Sequence, residues 1–266
     1  MLLRILGSGT TSWDMDRTCA SYHLTQGPTQ LLFDCGAGSL YRMSQAGIDP
    51  LAIDALVLSH TQHPDHAGEV AAFLFAQNYA RREPRTAPLR LIGPTGTEEF
   101  YEHQRASFPA ISPRAYTLEL EELGEDRRSI GEVELDASPV QHGDVPALGF
   151  RVKARDRIFT YSGDSGPCDA LSALCQDADL ALVECSYAEG QGRIIGSHLS
   201  AREVGELAAA ARVRQLVITH RYAIGDLAGM ESQIREQYDG PLGVAEDLQL
   251  WSIGEDNSIT SDSGSP

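Results

Sequence analysis

Four apolar runs in this chain end in a histidine or an aspartate, and this punctuation sets the strongest limit on the fold. Ile53-Asp54-Ala55-Leu56-Val57-Leu58 runs into Ser59-His60-Thr61-Gln62-His63-Pro64-Asp65-His66. Ala137-Ser138-Pro139-Val140-Gln141 runs into His142, Ile158-Phe159-Thr160-Tyr161-Ser162-Gly163 into Asp164, and Leu216-Val217-Ile218-Thr219 into His220. Short apolar runs of this kind suit buried strands. Strands that each deliver a polar residue at the carboxyl end build a site only when those ends share one edge, as they do in layered α/β proteins.

The remaining sequence has the same texture. Strands are expected at 2–6, 20–25, 30–34, 54–59, 89–92, 130–137, 147–153, 157–161, 179–184, 214–219 and 246–251, and helices at 37–46, 67–80, 96–107, 168–176, 201–212 and 230–238. Gly131-Glu132-Val133-Glu134-Leu135-Asp136 alternates like a half-exposed strand. Ser200-x-x-Glu203 before an Ala-rich run is a capping box that starts a helix. The strands form two groups, each with helices after it. The expected architecture is therefore a single layered α/β domain over 1–256, with the Ser-, Gly-, Asp- and Pro-rich 257–266 as a flexible tail.

Composition narrows the partners. Apolar residues make up 42% and charged residues 22% of the 266, enough core to exclude global disorder. The net charge of −17 repels polyanions, which argues against broad nucleic-acid binding and against anionic membranes. No stretch reaches 18 apolar residues, and Met1-Leu2-Leu3-Arg4-Ile5-Leu6 is too short for a signal peptide. The five cysteines show no C-x-x-C spacing, so neither a disulfide frame nor a thiolate zinc knuckle is expected, and a cytoplasmic location fits.

Three of the eight histidines fall within the seven residues 60–66, together with Asp65. Neutral imidazole and carboxylate are the usual ligands of borderline divalent metals, so this loop is read as metal-binding. His142, Asp164 and His220 are individually weak: alone, His142 reads more often as a satisfied structural histidine, and Asp164 as a turn residue beside Gly163.

Together these segments resemble the metallo-β-lactamase-fold superfamily, and most closely its ribonuclease Z and phosphodiesterase branch. The matching segments are Leu6-Gly7-Ser8-Gly9-Thr10, Phe33-Asp34-Cys35-Gly36-Ala37-Gly38, the histidine loop, His142, Ser162-Gly163-Asp164 and Thr219-His220, in the family's order. The resemblance implies a four-layer αββα sandwich with a two-metal site at the sheet edge. It implies that His60, His63 and His142 hold one ion, that Asp65, His66 and His220 hold the other, and that Asp164 bridges. Zinc suits such nitrogen and oxygen ligands, as do manganese and iron. Asp34 would orient a ligand. Asp65 would orient the attacking hydroxide or take its proton. His198, in Gly196-Ser197-His198-Leu199-Ser200, would stabilise the transition-state oxygen or protonate the leaving group; otherwise it is a helix-entry histidine.

One departure is visible. The family's loop reads His-x-His-x-Asp-His, and counting back from His63 puts Thr61 at the first histidine. Either a one-residue bulge at Gln62 brings His60 to the metal, or the first ligand is lost. The strand-end context of His60 favours the bulge.

The implied activity is metal-dependent hydrolysis of a small phosphodiester. Ribonuclease Z enzymes carry a tRNA-binding arm between the third and fourth motifs, and the 21 residues between His142 and Asp164 leave no room for one. With the acidic charge, this makes tRNA an unexpected substrate. A lactone, aryl sulfate or β-lactam is the alternative on the same site, as is a degenerate one-metal binding protein. Arg81, Arg82 and Arg85 offer a phosphate contact or a solvated helix end. Phe73, Phe75 and Tyr79 read as core, Tyr222 as a pocket wall or packed aromatic, and Cys185 as a buried structural thiol. A homodimer is the default assembly.

Overall fold

The computed structural model describes residues 1–11, 14–80, 82–83, 85–190, 197–222 and 226–253. The expected tail, Arg81 and Gly196 lie outside them. Six strands come first: β1 (Leu2–Gly7), β2 (Ser21–Gln26), β3 (Thr29–Phe33), β4 (Ala55–Val57), β5 (Leu89–Pro94) and β6 (Leu118–Leu123). The next seven are β7 (Asp126–Ile130), β8 (Val133–Pro139), β9 (Leu148–Ala154), β10 (Arg157–Tyr161), β11 (Leu180–Glu184), β12 (Leu216–Thr219) and β13 (Leu242–Val244). The last strand, β14 (Leu250–Ser252), returns to the first sheet, giving the orders β14-β1-β2-β3-β4-β5-β6 and β13-β12-β11-β10-β9-β8-β7.

Each sheet begins as an antiparallel meander and continues in parallel. β1, β2 and β3 pair antiparallel, then β3 to β6 parallel. β8, β9 and β10 repeat this, followed by parallel β10 to β13. Period-two alternation sorts the side chains into layers. Ala55 and Val57 of β4, with Leu180 and Leu182 of β11, enter the core between the sheets. There Phe33 meets Phe150 and Phe159 from the opposite sheet at 5.6 and 6.0 Å. Leu56 and Leu58 face outward, in a layer with Met43 of α1 (Ser39–Gln45), Phe73 and Leu74 of α3 (Val70–Tyr79), and Tyr101 of α4 (Thr97–Ser107). The short α2 (Pro64–Ala67) lies between α1 and α3 in sequence. Ala181 and Val183 face α5 (Asp169–Cys175), α6 (Ala201–Ala210) and α7 (Leu227–Arg235). The result is the expected αββα sandwich. Strands buried on both faces read as unbroken apolar runs for this reason.

Several boundaries differ from the sequence reading. The strand expected at 130–137 is a hairpin, β7 and β8, turning at Gly131-Glu132 with Ile130 opposite Val133. β7 is an edge strand whose Arg127 and Arg128 pair with Asp136 and Glu121, so charge hides its period. β6, Leu-Glu-Leu-Glu-Glu-Leu, is the opposite sheet's edge and was masked in the same way. The helix expected at 67–80 breaks at Gly68-Glu69 into α2 and α3. There the Glu69 carboxylate accepts the Gly38 and Leu40 N–H groups at the start of α1. The last helix starts earlier than expected because Asp226 caps it through the Gly229 N–H. The strand expected at 246–251 is only Leu250–Ser252. The Ser200–Glu203 capping box is present in full.

Candidate metal centre

β3, β4, β8, β10, β11 and β12 all point their carboxyl ends to one rim of the sandwich, where the two sheets meet. The Leu148 N–H donates to the Ser59 carbonyl and the His220 N–H to the Ser8 carbonyl, fastening the rims together. Turning out of a strand here requires unusual backbone. Asp34 and His220 both have φ of 54°, a conformation that costs a non-glycine residue about 1–3 kcal/mol. Gly163 has φ of 58°, and a Cβ there would lie 2.6 Å from the Leu148 carbonyl oxygen, so only glycine leads into Asp164. Gly36 packs so closely on the Asp65 backbone that a Cβ would sit 2.1 Å from its oxygen.

The extra residue in the histidine loop forms a bend. Gln62 points to solvent, while His60 and Asp65 are buried and His63 is half-buried. Pro64 then starts α2, whose first turn carries Asp65 and His66. His60 Nε2 lies 3.1 Å from His63 Nδ1, and His142 Nε2 lies 3.3 Å from the same atom. Three ring nitrogens converge, so the bend keeps His60 facing the cluster.

A second group lies beside the first. His66 Nε2 is 3.2 Å and His220 Nε2 3.4 Å from Asp164 Oδ1, and Asp65 Oδ2 is 3.5 Å from His220 Nε2. Asp164 Oδ2 faces the first group, 3.9 Å from His142 Nε2. One carboxylate thus presents one oxygen to each group.

The histidines are oriented from behind. His66 Nδ1–H donates to Asp34 Oδ2 at 2.8 Å, and His142 Nδ1–H to the Ser197 carbonyl at 2.9 Å. His60 Nδ1–H reaches Ser59 Oγ at 3.1 Å, and His220 Nδ1–H reaches Ser186 Oγ at 3.4 Å. Each Nε2 lone pair is left for the cluster, the arrangement that metal-ligating histidines need. Burial pushes His60 well below the ordinary histidine range, aided by His66, and burial likewise lowers His142. Both are neutral, as ligands must be. Burial opposes charge on Asp65, but the adjacent His220 and His66 imidazoles outweigh it and push the carboxyl down to about 2. Burial opposes charge on His66, but Asp164 and Asp34 raise it well above its usual range. These carboxylates favour positive charge at this point.

Three fully buried atoms, His66 Nε2, His220 Nε2 and Asp164 Oδ1, have no hydrogen-bond partner. Unmet buried polar atoms cost about 1–3 kcal/mol each. Their mutual spacing and chemistry fit a divalent cation. His60, His63, His142 and Asp164 form one group able to hold an ion, and Asp65, His66 and His220 another. All seven residues singled out as ligands in the sequence meet at this rim.

Sequence reasoning missed Glu184. Buried at the end of β11, it accepts Nδ1–H of His198 at 2.8 Å, the Ser165 N–H and the Ser186 hydroxyl. Burial opposes charge on His198, but Glu184 at this distance pushes it up to about 9. The His198 ring lies 5.1 Å from His142 and stacks 5.6 Å from His220, so its free Nε2 faces the cluster. A charged residue ending the otherwise apolar Leu-Ala-Leu-Val-Glu was the available signal.

Other calls are redrawn. Arg85 is buried, its guanidinium donating to the carbonyls of Leu51, Ala87 and Pro88, so it closes a loop and is not a phosphate contact. Arg82 is exposed, as a solvated helix end is. Phe73 is core, but Phe75 and Tyr79 are exposed and stacked at 4.6 Å. Tyr222 is half-buried, 6.4 Å from the His220 ring. Cys185 is buried outside the cluster, and burial pushes its thiol up.

A two-sheet sandwich with histidines and aspartates gathered at its rim defines a metallo-hydrolase of the metallo-β-lactamase fold. Residues 29–221 match the Beta-lactamase superfamily domain, and the chain belongs to that superfamily. Within it, the chain is ribonuclease Z-like. It is 31% identical to the ribonuclease Z of Mycobacterium bovis across 92% of this chain and 96% of that protein. It is 24% identical to that of Thermococcus onnurineus across 92% of each. Among solved structures, it resembles the metallo-beta-lactamase fold protein YhfI from Bacillus subtilis (TM-score 0.81, 20% identity, 94% and 98% of the two chains). It also resembles the short form of human tRNase Z (TM-score 0.77, 21% identity, 96% and 100%). A diphosphatase of the PhnP family matches with TM-score 0.70 at 18% identity over 94% and 97%. Among the described residues no helix is long and apolar enough to cross a membrane.

Proposed function

We propose that this chain is a dinuclear-metal phosphodiesterase acting on a small phosphodiester. The observation that carries this reading is the Glu184–His198 pair beside the two ligand groups. A metal cluster alone serves lactones, sulfates and β-lactams equally well. A protonated imidazole held at its edge suits a reaction that expels an alkoxide, as a phosphodiester or a lactone does and an aryl sulfate does not, and the ribonuclease Z relatives favour the phosphodiester of the two.

In this reading His60, His63 and His142 hold one ion, Asp65, His66 and His220 the other, and Asp164 both. Bound there, zinc or a similar divalent ion supplies positive charge to the phosphoryl oxygens and lowers the pKa of water. Asp65, on the first turn of α2 beside His220, would orient the attacking water. His198 donates its Nε2 proton to the leaving oxygen while Glu184 holds Nδ1–H and keeps the ring in place. Asp34 fixes the His66 ring.

The small substrate is supported by the tight β9–β10 connection. Arg155 and Asp156 alone join the strands, with Ala154 opposite Arg157. No arm extends there, and the chain's charge of −17 offers little to a polyanion. The ribonuclease Z relatives favour a second reading, cleavage at the 3′ end of a structured RNA. The test counts metal in the purified chain and assays bis-p-nitrophenyl phosphate, a 2′,3′-cyclic nucleotide, a 3′-extended tRNA, a lactone, p-nitrophenyl sulfate and nitrocefin. Two ions per chain with turnover of the small diesters is expected. Faster turnover of the tRNA establishes the second reading, and turnover of only the last three compounds overturns both.

A further inference from the structure

Two tyrosines inside the sandwich cross from one sheet to the other. Tyr22, on β2 of the first sheet, is fully buried, and its hydroxyl lies 2.9 Å from Thr219 Oγ1 at the end of β12 in the second. Tyr161, on β10 of the second sheet, is equally buried and donates to Asp34 Oδ2 at 2.6 Å, at the end of β3 in the first. The rings touch, with centroids 4.9 Å apart and tilted by 58°. Packing alone does not call for these hydroxyls, since phenylalanine fills the same space and leaves no polar atom to satisfy. Each hydroxyl ends instead on a group adjoining a candidate ligand. Thr219 precedes His220, and Asp34 receives the His66 Nδ1–H. Asp34 and His220 are also non-glycine residues of the rim in the left-handed region, where the backbone needs holding.

Both fastened ligands belong to one group. His66 and His220 sit with Asp65. In the other group, His142 is oriented by the Ser197 carbonyl, and His60 by Ser59, whose hydroxyl donates to Asp34, so a tyrosine reaches this group only by a path one residue longer. We propose that Tyr22 and Tyr161 are positioning residues for the ion held by Asp65, His66 and His220, coupling that ion's affinity to the docking of the two sheets. The inference rests on the two-ion reading above.

The experiment uses full-length chains carrying one group at a time. A His63→Ala chain retains only the Asp65–His66–His220 group, and a His220→Ala chain only the His60–His63–His142 group. Each is dialysed against graded concentrations of a zinc chelator, and the remaining zinc is counted. Removing an outer hydrogen bond to a ligand lowers metal affinity by about 10- to 100-fold. Because Tyr161 reaches His66 through Asp34, Tyr161→Phe is expected to produce a loss of about tenfold in the His63→Ala chain and a clearly smaller one in the His220→Ala chain. Tyr22→Phe acts on the same chain, by less than about tenfold, because Thr219 is joined to His220 through the backbone and not by a hydrogen bond to its ring. Circular dichroism and urea unfolding of the metal-free chains measure any general loosening, which would weaken both groups alike. Equal loss in both backgrounds, or none in either, overturns the inference while leaving the two-ion reading intact. A parent chain that binds a single ion overturns the reading itself, and the inference with it.

Discussion

Asp34 and Asp164 stand in matching places. Each follows the last strand of an antiparallel meander, β3 or β10, where the sheet changes to parallel pairing. Their surroundings differ completely. Asp34 accepts from the Ser59 N–H and hydroxyl, His66 Nδ1–H and the Tyr161 hydroxyl, four donors within 2.6–2.8 Å. Asp164, three residues beyond its strand, is equally buried, yet its Oδ1 has no hydrogen-bond partner and faces two imidazole nitrogens that share the same lack. A carboxylate whose acceptors are saturated is part of the frame. One left open among lone pairs is where a cation would be held. The Ser162-Gly163 extension makes the difference, because it carries Asp164 past the backbone donors at the strand end.

The largest expected effect tests the open carboxylate. Asp164→Asn removes the charge shared by both groups, and kcat/KM should fall at least about 10³-fold, roughly 4 kcal/mol of barrier. Metal analysis of the purified variant should show loss of both ions. A variant that retains two ions and full turnover would sink the assignment. Next is the proton donor. His198→Ala should lower kcat by about 10²- to 10³-fold with metal content unchanged. Glu184→Gln should lose less, because the ring keeps a hydrogen bond while losing the charge that favours its protonated form. Leaving groups of low pKa test this pair further: p-nitrophenolate needs little protonation, so the His198→Ala deficit should shrink on such a diester and grow on an alkyl one.

The same contrast explains what the sequence made legible. Ligands fall at the ends of apolar runs, and an apolar run is what a strand buried on both faces must be. His60 to His66, His142, Asp164 and His220 were therefore visible. Glu184 also ends such a run, but nothing in the sequence places His198 against it, since 14 positions separate the two and only the fold brings them together. Edge strands were lost for the opposite reason. β6 and β7 carry charges that protect a sheet edge, and those charges erase the apolar signal. The role of Arg85 was misread because sequence shows a basic cluster, whereas the fold buries one of its members against backbone carbonyls. The crossed tyrosines were illegible for a related reason: both lie in apolar strands where a ring is expected, and their hydroxyl partners come from the other sheet.

Asp34→Asn sharpens the comparison with a smaller and different effect. The carboxamide replaces one acceptor oxygen with an NH₂ that must face a donor, either the Ser59 N–H or the groups gathered on Oδ2. One donor is then left unmet, at about 1–3 kcal/mol of stability, and the His66 ring loses its anchor. Metal affinity at the Asp65–His66–His220 group should drop by about 10- to 100-fold. Turnover should return when excess zinc refills the site, because no reacting atom touches Asp34. Asp164→Asn, by contrast, should resist rescue by metal. Titrating activity of both variants against free zinc reads out the distinction directly. If excess zinc restores both variants alike, or neither, the division between a frame carboxylate and a ligand carboxylate fails, and the two aspartates would have to be regarded as equivalent despite their different partners.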